Sequence, residues 1–96
     1  MAAYIVVLRS NTRDPKGMEQ YSALARTAPT DKLELVAAKT NRWQMLEGPG
    51  ADAVAIMRFP TWDDAMAWYE SDAYRAARKF RQAAADCRAF IIEGTD

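Results

Sequence analysis

A chain of 96 residues, half of them hydrophobic, can bury one core and not two, so residues 1–96 read as a single domain. Its 13 basic and 13 acidic residues cancel, which removes the long-range field that gathers nucleic acid or an anionic membrane. With no His the commonest general base, haem ligand and zinc ligand is missing. One Cys allows no internal disulfide, so the expectation is a cytoplasmic protein without metal or cofactor.

The N-terminal run A-Y-I-V-V-L-R (3–9) is too short for a signal peptide or a membrane span, and its β-branched residues predict a strand. Tyr4, Val6 and Leu8 fall on one face and Ile5 and Val7 on the other. Both faces are apolar, so the strand is central. Asp14-Pro15 predicts a helix start, with Asp14 as N-cap and Pro15 in the first turn. Met18, Tyr21, Leu24, Ala25 and Ala28 continue it as one stripe until Pro29. A second strand spans 33–38, with Leu33, Leu35 and Ala37 on one face. Residues 39–41 form a turn, Trp43 to Leu46 a short arm, and Gly48-Pro49-Gly50 breaks the chain. Residues 52–59 form a third strand. Thr61 then caps a helix, with Asp64 three residues on as in a capping box. Ser71 offers a second cap, so that helix is expected to break around residues 70–72. The last strand covers 88–93.

This order is βαββαβ, an α+β ferredoxin-like arrangement with two helices on one face of a four-stranded antiparallel sheet. Six sizeable side chains, Ile5 and Val7 among them, are then expected on the uncovered face. At about 1.5–3 kcal/mol each, leaving them wet forfeits roughly 9–18 kcal/mol. That rivals the roughly 5–15 kcal/mol stability of a whole domain. The pattern therefore predicts a face-to-face homodimer.

A longer pattern runs through the chain: Tyr4, Asp14-Pro15, Tyr21, Glu47-Gly48, Phe59-Pro60-Thr61, Ala65, Trp68-Tyr69, Ser71, Tyr74, Arg81 and Ile92-Glu93-Gly94. It resembles the bacterial family called domain of unknown function 1330, of the dimeric α+β barrel superfamily. The resemblance implies the same fold and the same dimer, and no established activity. Where the family places Gly residues around the second strand, this chain has T-A-P-T-D-K and Lys39-Thr40-Asn41, so no site built by those loops carries over. Relatives across the superfamily range from cofactor-independent monooxygenases to isomerases and stress-response dimers, so the fold alone assigns no chemistry.

Among the residues themselves, Glu47 closes an arm bearing Trp43 and Met45, where partial burial would tune it as a general base; the alternative is a solvated or Arg-paired strand end. Tyr74 is the second candidate for moving a proton. A bend at Ser71 would bring Trp68 and Tyr74 together, either as pocket walls or as ordinary core aromatics with polar tips to satisfy. Arg75 and Lys79 read as a solvated face beside Glu70 and Asp72, and Arg81 as the inward cation that could fork onto a carboxylate. The candidate ligand-binding set is therefore Tyr4, Phe59, Trp68, Tyr74 and Arg81. Cys87, without a His partner, reads as core, and A-V-A-I-M-R-F lacks the aromatics of an RNA-binding sheet face. Three readings follow. The first is a binding protein for a small, partly apolar carboxylate. The second is a cofactor-independent monooxygenase or isomerase using Glu47, Tyr74 and Arg81. The third is a purely structural dimer, which the lack of a cavity beside Trp68 would favour.

Overall fold

The structure is a computed structural model that describes residues 1–38 and 42–95. Four strands, β1 (Ala3–Ser10), β2 (Glu34–Ala38), β3 (Ala53–Phe59) and β4 (Asp86–Glu93), form one sheet in the order β2-β3-β1-β4. Every neighbouring pair is antiparallel. The helices are α1 (Pro15–Ala25), α2 (Trp62–Tyr69) and α3 (Asp72–Ala84), giving a ferredoxin-like βαββαβ order with the second helical stretch broken in two. The proposed turn at 39–41 lies outside the described residues, and the arm from residue 42 to 47 has no regular structure.

Register decides which side of the sheet each side chain takes. Ile5 lies opposite Met57 on β3 and Ile91 on β4. Ala3, Ile5, Met57 and Phe59 are buried in the core, with Val7 and Ile91 packed against it, so these positions face the helices. The sequence pattern places Ile5 and Val7 on the uncovered face, and the structure reverses that. A strand apolar on both faces carries no mark of which face the helices will take. The bare face instead carries Tyr4, Val6 and Leu8, opposite Val54, Ile56, Phe90 and Ile92 in the same register. Phe90 and Ile92 remain 50% and 54% exposed. The uncovered face is thus largely apolar, as expected, through different residues, with Arg58 and Arg88 also on it.

The edge strand β2 departs from its expected alternation. Leu35 pairs with Met57 but Ala37 pairs with Ile56, so a bulge at Val36 sends Leu35 and Ala37 to opposite faces. The strand also starts at Glu34 instead of Leu33, and β4 starts two residues earlier than its apolar run, at Asp86.

The caps explain the helices. Thr61 accepts a hydrogen bond from the Asp64 amide and donates its hydroxyl to the Asp64 carboxylate, which fixes the start of α2. Ser71 donates to the Trp68 carbonyl at 2.7 Å and accepts from the Tyr74 amide at 3.3 Å. One hydroxyl therefore closes α2 and opens α3, which is why the helix breaks there. Asp14 has extended backbone at the N-cap of α1, but its side chain makes no cap bond, and Pro15 alone marks that start chemically. A Cβ at Gly17 would lie 3.0 Å from the Ala84 Cβ and 2.8 Å from Asp14 Oδ2, so α1 and α3 meet closely enough that a larger residue would push both neighbours aside. Among the described residues no helix is long and apolar enough to cross a membrane.

Candidate functional site

The break at Ser71 folds the end of α2 and the start of α3 over the helix side of β1 and β3. Trp68 and Tyr74 meet there almost stacked, ring centroids 4.0 Å apart at 34°. Phe59 at the end of β3 tilts against Trp68 at 5.5 Å, and Tyr69 touches both Trp68 and Tyr74. From α1, Tyr21 meets Tyr74 edge to face, and their hydroxyls share a 2.8 Å hydrogen bond. One phenol donates to the other, so one phenolic proton remains available for another acceptor.

Burial, and then the neighbouring Tyr21, raise the Tyr74 phenol far above the usual tyrosine range. Tyr74 is therefore a proton donor at neutral pH and not a base. The cationic group that partly opposes this shift is Arg81. Arg81 lies on the same face of α3 as Tyr74, Ala77 and Ala84, all buried, with its guanidinium carbon 5.8 Å from the Tyr21 ring centre. It is only 3% exposed. Its Nε and Nη1 are buried without any acceptor among the described residues, and the buried indole N–H of Trp68 has none either. An N–H deprived of water and of protein acceptors is costly, and more so on a cation.

Two clefts flank the aromatic cluster. One, of about 170 Å³, is lined by Ile5, Met66, Tyr69, Ala89, Phe90 and Ile91, between α2 and β4. Arg78 spreads its guanidinium over the Tyr69 ring, 4.2 Å from the centroid, beside this cleft. The other, of about 210 Å³, lies between α2 and the segment entering β2 and includes Leu33, Phe59, Asp64, Ala67 and Trp68. A 3.0 Å Lys32–Asp64 ion pair stands among its lining residues. There is thus a cavity beside Trp68. Arg81 lines neither cleft; it stands in the last turn of α3, and β4, which follows, floors the first cleft at Ala89 and Ile91.

Of the residues singled out from the sequence, Phe59, Trp68, Tyr74 and Arg81 come together. Tyr4 does not: it sits on the other face of the sheet, opposite Arg58 and Ile92. Glu47 is exposed on the irregular arm, so the partial burial that would have tuned it as a base is not present in this chain. Arg75 pairs with Glu70 at 2.9 Å on the solvated face. Tyr21, read only as part of the apolar stripe and the family pattern, and Arg78 belong to the cluster without having been named as site residues. The spacing of Tyr21 on the apolar stripe of α1 was the available signal for the first. The second, in a run of basic residues, carried none.

The comparisons with known proteins agree with this architecture. A protein of unknown function from Rhodopseudomonas palustris is 25% identical, with a TM-score of 0.68 over 99% of this chain and 83% of its own. A dimeric ferredoxin-like protein of unknown function from Thermobifida fusca is 17% identical, with a TM-score of 0.64 over 96% of this chain and 90% of its own. SnoaB, a cofactor-independent oxygenase from Streptomyces nogalater, is 10% identical, with a TM-score of 0.62 over 99% of this chain and 94% of its own. At such identities the last two speak to fold alone. No curated protein matches the sequence. The family model described as "Domain of unknown function (DUF1330)" matches residues 2–95, and the chain belongs to that family.

Proposed function

We propose that this protein binds a small, partly apolar carboxylic acid between its sheet and helices, with the carboxylate on Arg81. The observation that carries this reading is the Arg81 guanidinium, 3% exposed with Nε and Nη1 lacking a protein acceptor. A guanidinium offers a carboxylate two forked edges, Nε with Nη2 and Nη1 with Nη2, and each of them here includes one of the nitrogens left without an acceptor. The apolar body of the acid lies over the exposed Ala89 and against Tyr69 and Met66 in the cleft beside β4. Binding is favoured over base catalysis because Tyr74 is held protonated and Glu47 stands in solvent.

The acid-binding unit is a homodimer in this reading. Tyr4, Val6, Ile56, Phe90 and Ile92 make an apolar face that a second sheet would cover, and the Thermobifida fusca neighbour is itself described as dimeric. Sedimentation at micromolar concentration would give a dimer, and Ile56→Lys a monomer. A wild-type monomer would remove this part of the proposal.

The ligand itself is tested by calorimetry with benzoate, cinnamate and short alkanoates, each against its neutral amide. The acids are expected to bind and the amides not, and Arg81→Met is expected to abolish the distinction. Acids and amides that bind alike would refute the assignment.

A further inference from the structure

The second cleft, between α2 and the chain entering β2, holds no part of the proposed acid. Its floor is apolar: Phe59 and Trp68 are buried and Leu33 is half-buried. Its volume of about 210 Å³ exceeds the roughly 150 Å³ of an engineered apolar cavity that takes benzene, so one substituted ring fits. Trp68 is a wall of this cleft and only 7% exposed, and its indole N–H is buried with no acceptor among the described residues. A buried donor without a partner is destabilising until something supplies an acceptor.

The rim is charged. Lys32 donates to one carboxylate oxygen of Asp64 at 3.0 Å, and the other accepts from the Thr61 hydroxyl, so Asp64 is engaged on both oxygens. Asp31, exposed among the same lining residues, makes no hydrogen bond or ion pair among the described residues. The hydrogen bond to Asp64 already holds Lys32 as an ammonium, with Asp31 adding less. Two carboxylates against one ammonium leave one negative charge in excess at the mouth of an apolar cleft. Such a rim repels anions and draws cations.

We propose that this cleft is a second binding site, for a small apolar amine that carries a hydrogen-bond acceptor on its body. The ammonium pairs with Asp31 at the rim, the apolar body lies over Leu33 and Phe59, and the acceptor takes the Trp68 N–H. The site does not depend on the Arg81 reading, and it selects the opposite charge.

The Trp68 indole N–H resonance tests it in ¹⁵N spectra of the full chain. The sequence has three Trp, and Trp43→Phe and Trp62→Phe assign the other two resonances, so the identification needs no change in the core. On titration with para-acetylbenzylamine the Trp68 signal should move downfield and saturate. The amine para-isopropylbenzylamine, which replaces the carbonyl by a hydrocarbon of similar shape, should bind about tenfold more weakly and give no downfield shift. Asp31→Asn should weaken para-acetylbenzylamine about twofold to fivefold at low salt and leave the neutral ketone para-methylacetophenone unchanged. Failure of the amine to bind, saturation without movement of the Trp68 signal, or an affinity that Asp31→Asn does not change overturns the proposal. Each of these results leaves the Arg81 reading standing.

Discussion

Replacing Arg81 by Met separates a ligand-holding arginine from a structural one. The side chain is 3% exposed and two of its guanidinium nitrogens have no protein acceptor. Met keeps an unbranched apolar stem against Tyr21 and Tyr74 and removes the charge. Stripping water from an ion costs several kcal/mol, of which the Tyr21 ring 5.8 Å away recovers only part, and exchanging a buried ion pair for hydrophobic residues of similar volume has stabilised proteins by about 1–4 kcal/mol. Arg81→Met is therefore expected to make the unliganded protein more stable by about 1–4 kcal/mol, each kcal/mol raising Tm by about 4–8 °C in a domain of this size. Urea unfolding gives the free energy and thermal scans the shift. In the wild type an excess of bound acid should raise Tm further, and in the variant that increment should vanish. A loss of stability of about 1 kcal/mol or more would refute the reasoning, because it would mean the charge is satisfied within the folded protein.

The hydroxyl pair gives a second expectation: Tyr21→Phe and Tyr74→Phe should each cost about 0.5–1.5 kcal/mol, and the double variant less than their sum, measured as a denaturation cycle. Ser71→Ala should cost about 1 kcal/mol, since it removes the cap of α3 and the bond that closes α2, and it should also loosen Trp68, read as increased indole fluorescence quenching. The carboxyls of Asp86 and Asp64 are held below their usual range by hydrogen bonds from Arg13 and Lys32. Depressed acid pKa values give stability that is present above the ordinary value of 3.8 and is lost as pH falls through the lowered one, so Asp86→Asn should flatten the stability profile below that pH in low salt and change little near neutrality.

The fold was legible where local chemistry is unambiguous. Thr61 and Ser71 announced two helix starts, and Pro15 announced a third. The facing of β1 was not legible, because Ile5 and Val6 are equally apolar and only packing selects between them. The bulge at Val36 was hidden for a related reason: L-E-L-V-A-A alternates plausibly in either register until β3 is paired against it. In the site, Trp68, Tyr74 and Arg81 could be brought together from helical spacing around a marked break. Glu47 could not be placed, since a strand-end acid on an irregular arm has no periodicity to aim it.

The central claim is that a buried, unpaired Arg81 receives an acid, and the arginine Nε–H resonances report on it directly. In ¹⁵N spectra of the labelled protein, one protected Nε–H should shift downfield and saturate as an aromatic carboxylate is added. The matching carboxamide should leave it in place, and the signal should be absent from Arg81→Met. If that resonance does not move at saturating acid, or moves equally with the amide, Arg81 is not the acid-binding group.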